Sequence, residues 1–117
     1  MIATVTKEFS FEAAHSLPNL PEGHKCRNMH GHSYRFTVEV TGRVDDRGFV
    51  MDYAEIVEHV EPILKKLDHQ NINRLFSWTT TAENLAKWIY EALKEKMPIT
   101  RIILKETEST SVIYPAS

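Results

Sequence analysis

The sequence predicts an α+β domain, a four-stranded antiparallel sheet with two helices packed on one face. Three observations carry that expectation. Residues 33–43 alternate apolar and polar without a break, two stretches between 52 and 96 repeat apolar residues at helical spacing, and extended runs open and close the chain. The order is therefore β, β, α, α, β, β, a hairpin on each side of an antiparallel helix pair. Such a sheet has two open edges and one face that its own helices leave bare. Neighbouring subunits are expected to extend it, so the chain is read as a homo-oligomer.

Taken in order, residues 2 to about 14 form an extended segment rich in Thr, Val and Phe, with Phe9 and Phe11 on one face. Ser16 to His24 holds two prolines and a glycine and reads as a loop. In Ser33–Arg43, Tyr34, Phe36, Val38 and Val40 fall on one side, with Arg35, Thr37, Glu39 and Thr41 on the other. That is the pattern of a half-buried strand. Asp45-Asp46-Arg47-Gly48 is a turn, and Phe49-Val50-Met51 a short extended piece after it. Asp52 and Glu55 have the capping-box spacing and open a helix over 53–67. Ile56, Val57, Val60, Ile63, Leu64 and Leu67 make its apolar stripe. Pro62 lies inside the pattern and predicts a kink or a 3₁₀ turn. The polar run Asp68–Asn73 ends this helix.

Thr80 and Glu83 form a second capping pair, ahead of a helix to about Lys96. Its apolar side carries Leu85, Trp88, Ile89, Ala92 and Leu93, and Pro98 stops it. Arg101–Lys105 and Ser111–Tyr114 are the closing strands, joined by a turn at Glu108-Ser109-Thr110.

Composition narrows the function classes. A length of 117 residues fits one domain, and 42% hydrophobic with 26% charged residues fits an ordinary globular protein. A net charge of -2 gives no reason to expect a nucleic-acid or membrane partner. No apolar run is long enough to span a bilayer, and the first residues lack the basic and apolar regions of a secretory signal. The single cysteine forms no internal disulfide, which fits a reducing compartment; a cytoplasmic location is expected.

The chemistry-bearing residues gather around Cys26-Arg27-Asn28-Met29-His30-Gly31-His32. In a strand, His30 and His32 point to the same face, and Gly31 between them lets the backbone bend or bulge. If the first two strands pair as a hairpin, His15 sits across from them. Three neutral imidazoles leave a fourth position open on zinc, as in catalytic sites; scattered polar strand residues satisfied by backbone are the plainer alternative. Cys26 reads as a small buried hydrophobe, as a zinc ligand, or, among His24, Lys25, Arg27 and Asn28, as a reactive thiolate. Asp68-His69 could be a carboxylate orienting an imidazole, or a helix C-terminal cap. Glu106 is either a solvated strand end or an acceptor for two parallel N–H bonds from a guanidine-like heterocycle edge. His59 falls on the polar side of its helix, and His24 shapes or borders the loop.

Phe11-Glu12-Ala13-Ala14-His15, Glu22-Gly23-His24-Lys25-Cys26, His30-Gly31-His32, Leu67-Asp68-His69, Thr81-Ala82-Glu83-Asn84-Leu85-Ala86 and Lys105-Glu106-Thr107 occur in that order. Together they resemble the 6-pyruvoyl-tetrahydropterin synthase family, most closely its bacterial 6-carboxy-tetrahydropterin synthase branch, over residues 8 to 114. Only three residues separate Cys26 from His30, where the pyruvoyl-forming branch typically has a longer insert. The resemblance implies the tunnelling fold, in which three subunits close a β-barrel and two trimers stack into a hexamer. It implies zinc on His15, His30 and His32, and Cys26 as proton acceptor. Asp68 and His69 would be relay partners from a neighbouring subunit. Glu106 would anchor the pterin ring, with Thr81 near the same pocket, although Ala82 stands where many relatives have a second hydroxyl residue. The implied substrate is 7,8-dihydroneopterin triphosphate, and the implied product 6-carboxy-tetrahydropterin, with triphosphate and acetaldehyde released on the way to queuosine and other deazapurines. Lys25 and Arg27 are, from their charge, candidates to meet the triphosphate. The alternatives are triphosphate elimination without carbon–carbon cleavage, and a non-catalytic zinc-stabilised pterin-binding module.

Overall fold

The computed structural model describes all 117 residues. Its elements are β1 (Ile2–His15), a 3₁₀ turn at Lys25–Arg27, β2 (His30–Arg43), α1 (Tyr53–Leu67), β3 (Gln70–Asn71), α2 (Ile72–Leu75), α3 (Ala82–Leu93), β4 (Ile99–Thr107) and β5 (Thr110–Tyr114). The sheet has five strands in the order β3-β1-β2-β4-β5. β1 and β2 form a long antiparallel hairpin from Ile2↔Arg43 to His15↔His30, and β4 and β5 continue it antiparallel.

The expected four-stranded antiparallel sheet is thus corrected. β3 adds a fifth strand, parallel to β1 through Ala13↔Gln70 and Ala14↔Asn71. Two residues carry no readable period, so only the folded chain reveals them. His69 makes the strand possible: it adopts φ 59°, the left-handed region, and turns the chain from the end of α1 back alongside β1. The run read as a polar helix end therefore also holds β3 and the start of α2. Phe49-Val50-Met51 joins no ladder, and Val50 and Met51 form bends.

The alternation in β2 decides which face is buried. Tyr34, Phe36, Val38 and Val40 lie in a single cluster of 18 buried apolar residues. Ile56, Val60, Ile63 and Leu67 of α1 and Leu85, Ala86, Ile89 and Leu93 of α3 complete it, so both helices cover one face of the sheet. Thr4, Thr6, Glu8 and Ser10 of β1 face out on the other side. α1 runs unbroken through Pro62, with no 3₁₀ segment. Its N-cap is Asp52, whose Oδ1 accepts from the Ala54 N–H at 2.9 Å.

α3 starts one residue later than its capping pattern suggested and ends at Leu93. Thr81, not Thr80, is the N-cap, and its hydroxyl accepts from the Asn84 N–H at 3.2 Å. Thr80 is drawn into the interior instead, where it holds a histidine. The chain is elongated, 57 × 27 × 24 Å, with a radius of gyration of 15.6 Å. A compact chain of this length would have a radius near about 13 Å. The β1–β2 hairpin is least covered at its Ile2↔Arg43 end, and the histidines lie at the opposite end, where His15 pairs with His30.

A candidate three-histidine metal centre

The register of the hairpin assembles the centre. His15 pairs directly with His30, and Ala13 pairs with His32, so the three imidazoles share the helix-facing side at the hairpin's end. Their ring centroids lie 4.6 to 5.2 Å apart. One ligand atom from each can be chosen so that all three lie within 4.8 Å of one another. Gly31 forms no bulge; it pairs regularly with Ala14.

Two of the rings are oriented by hydrogen bonds. His15 Nδ1 lies 2.7 Å from the Thr80 carbonyl oxygen, and His30 Nδ1 lies 2.7 Å from the Asn28 carbonyl oxygen. A carbonyl only accepts, so both Nδ1 atoms carry the proton and both Nε2 atoms keep a free lone pair. The Nε2 atoms of His15 and His32 are buried and have no hydrogen-bond partner. Buried polar atoms without partners are rare, and here they converge on one point. Burial also holds His15 and His32 below the usual imidazole range, against the opposing pull of the Glu106 charge. Neutral, desolvated imidazoles with free lone pairs suit a divalent metal, and the donor set suits zinc.

Glu106 reaches the same point from β4. Its Oε2 is 3.7 Å from His15 Nε2 and its Oε1 is 3.6 Å from His32 Nε2. β4 and β5 slip by one residue between Leu104 and Thr107, the stretch that contains Glu106. Such irregularities re-aim side chains. Tyr34 completes the floor. It is fully buried, its hydroxyl has no partner, and burial together with the Glu106 charge pushes its ionisation upward.

Asp68 and His69 lie elsewhere, across the end of β1. Asp68 Oδ1 accepts from the Glu12 N–H at 2.9 Å, and Asp68 Oδ2 lies 3.0 Å from His69 Nδ1. Asp68 is also the C-cap of α1, where its backbone N–H donates to the Leu64 carbonyl. His69 is exposed and lines a cleft of about 470 Å³ with Glu12, His32, Ser33, Gln70 and Asn71. The Glu12 N–H first, and then the His69 ring, hold the Asp68 carboxyl below the usual carboxylate range. A depressed carboxyl contributes stability that is present above its unfolded value and lost as pH falls through its folded value. Below about pH 4, acid unfolding monitored by circular dichroism should therefore be steeper for the native chain than for Asp68→Asn. Equal slopes would remove this role.

Cys26 sits half-buried in the 3₁₀ turn. Its backbone N–H donates to His24 Nδ1 at 3.1 Å, and its carbonyl accepts from the Leu17 N–H at 2.7 Å. These bonds fix the turn just ahead of the histidine pair. Lys25 and Arg27 are exposed, and Arg27 Nη1 donates to the Leu20 carbonyl at 2.8 Å. Thr81 spends its hydroxyl on the α3 cap. His59 is half-buried rather than exposed.

Two supporting groups escaped the sequence reading. Thr80 had the signature of a cap, and nothing in a linear pattern ties it to His15, 65 residues away. The Asn28 carbonyl, two residues before His30, is local, but any residue supplies a carbonyl. The Thr80 hydroxyl also lies 3.4 Å from the Ser16 carbonyl and 3.3 Å from Asn73 Oδ1. Thr80→Val should cost about 1 kcal/mol in a denaturant titration while metal content stays intact, because the carbonyl that orients His15 remains.

Fold and site together define an α+β protein with three histidines that could hold a metal ion, a donor set that leaves a fourth position on such an ion unfilled. The chain belongs to the 6-pyruvoyl tetrahydropterin synthase family, whose model matches residues 4–117. It is 44% identical over 100 residues to the 6-carboxy-5,6,7,8-tetrahydropterin synthase of Synechocystis, a match covering 78% of this chain and 74% of that one. It is 34% identical over 98 residues to the dihydroneopterin monophosphate aldolase of Pyrococcus furiosus, covering 84% of this chain and 81% of that one. The Caenorhabditis elegans 6-pyruvoyl tetrahydropterin synthase structure superimposes with a TM-score of 0.90 at 30% identity, over 100% of this chain and 97% of that one.

Proposed function

We propose that this protein is a zinc-dependent lyase that converts 7,8-dihydroneopterin triphosphate and one water to 6-carboxy-5,6,7,8-tetrahydropterin, triphosphate and acetaldehyde. The observation that carries the reading is the convergence of ring nitrogens from His15, His30 and His32, within 4.8 Å of one another, beside the Glu106 carboxylate. The 44% identity to a relative named for that activity supports the choice of product. The metal, when bound, supplies a Lewis acid that makes the carbon beside the side-chain hydroxyls more acidic.

The chain's own residues do the rest. Glu106 accepts two N–H bonds from the guanidine-like edge of the pterin and sets the ring's distance from the histidines. Cys26, as thiolate, takes the proton from the acidified carbon. His69, oriented by Asp68, returns a proton to the other side of the side chain, and triphosphate leaves as the anion. Lys25 and Arg27, both exposed, are the cations we assign to that anion, and we assign Thr81 to the border of the pterin pocket.

Asp68 and His69 pair across β1, on Glu12, while the zinc ligands face the helices. We assign the relay pair to a neighbouring subunit's centre. Assembly into trimers and hexamers is supported by the open edge of β5, and by β1, which β3 pairs only at Ala13 and Ala14. A single cysteine that must stay reduced supports a single domain working in the cytoplasm. Placement in queuosine biosynthesis follows from the product.

The pyruvoyl-forming reaction is the second reading, favoured by the 0.90 TM-score to a protein of that name. Incubating the zinc-loaded protein with 7,8-dihydroneopterin triphosphate and identifying products separates them. Acetaldehyde with 6-carboxy-tetrahydropterin supports the proposal. Triphosphate with a pyruvoyl product, or an aldolase product, moves the chain to another branch. No turnover with zinc and pterin both bound leaves a binding module.

A further inference from the structure

Tyr34 is buried, held in place, and left without a hydrogen-bond partner. Its ring stacks on Phe11 at 4.8 Å with an 8° interplanar angle and lies 5.4 Å from the His32 ring. Its exposure is 0%, and its hydroxyl meets no acceptor. Packing alone would be served by phenylalanine, and an orphaned buried hydroxyl is costly. The acceptor it lacks stands opposite. Arg35 pairs with Lys105 in the β2–β4 ladder, so one residue on, Tyr34 comes opposite Glu106 on the helix-facing side. The Glu106 carboxylate makes no hydrogen bond with that hydroxyl; it lies beside His15 Nε2 and His32 Nε2 at 3.7 and 3.6 Å, too far for a hydrogen bond to either.

We propose that Tyr34 is a positioning residue for Glu106: when the three Nε2 lone pairs are taken by metal, the carboxylate turns from the histidines to accept a hydrogen bond from the Tyr34 hydroxyl. The exchange gives the orphaned donor its partner. It also removes Glu106 from the mouth of the centre and fixes the carboxylate in one orientation. Loading of the centre and readiness of the ring-binding carboxylate are then one coupled event, and coupling of this kind is reciprocal. The pterin side of the argument rests on the function proposed above; the metal side does not.

Tyr34→Phe removes only the hydroxyl and keeps the ring in its stack. Without zinc, the variant should melt at the native temperature or above it, because the lost group had no partner. Zinc affinity, measured by competition with a chromophoric chelator, should fall roughly three- to tenfold. In a Glu106→Leu background, the same change should have little further effect, because no acceptor remains at that position. Equal zinc affinity for the native chain and Tyr34→Phe overturns the proposal, as do effects that simply add in the double variant. A fluorescence titration with 7,8-dihydroneopterin tests the pterin side separately. The zinc form of Tyr34→Phe should bind it more weakly than the native zinc form, and the zinc-free forms should bind it alike. If the native zinc form binds no pterin while the zinc coupling holds, the proposed function fails and Tyr34 keeps its role. If pterin binds and the coupling is absent, the reverse is true.

Discussion

Cys26→Ala should lower turnover of 7,8-dihydroneopterin triphosphate by about 10²–10⁴-fold, the contribution of a positioned proton acceptor. Zinc content should stay at the native level. The two halves of this prediction separate the roles left open for a lone cysteine. A zinc ligand would carry metal away when removed, and a buried hydrophobe would change stability without abolishing chemistry. The structure supplies the reason to expect a clean result. Cys26 belongs to a 3₁₀ turn held by its backbone N–H on the His24 ring and its carbonyl on the Leu17 N–H, neither of which uses the thiol. Substitution should therefore leave the turn and the histidines behind it in place. Retained turnover would end the proton-acceptor role, and lost zinc would convert Cys26 into a ligand.

His32→Ala should lower zinc affinity by more than about 100-fold, since even the loss of a group orienting a ligand costs 10–100-fold. Turnover should fall with it and should not return at accessible zinc concentrations. His32 is the better of the three to change. His15 is almost fully buried and bonded to Thr80, so its removal opens a cavity and confuses folding with binding. His32 lines the open cleft, and its Nε2 has no partner to lose. The melting temperature without zinc should therefore change little. Metal analysis of the purified variant decides the matter: a full complement of zinc would remove His32 from the ligand set. Native zinc binding should also weaken as pH falls below about 6, because protons then compete for imidazoles that are neutral at pH 7.

Much of the architecture was legible in advance because it rests on period. A strand with one buried face must alternate, and a helix with one buried stripe must repeat every three or four residues. β2, α1 and the core side of α3 were therefore readable within a few residues, and so was the pairing that puts His15 beside His30 and His32. The capping residue of α3 was not. Thr79, Thr80 and Thr81 are adjacent, and which of them caps depends on which one His15 needs. A local pattern cannot hold that information, because the competing partner lies 65 residues away.

From the sequence alone came the kind of protein: an α+β chain with three histidines able to meet, a cysteine beside them, and motifs in the order of one enzyme family. Only the tertiary structure decided which atoms of those histidines are free, which carbonyls hold them, where Glu106 turns, and that Tyr34 stands unpaired beneath them. It also showed the fifth strand, two residues long, turned into place by the left-handed His69. The physical reason is the same in each case. Periodicity reports which face of an element is buried, whereas the orientation of a ring or a carboxylate depends on hydrogen-bond partners brought from distant parts of the chain.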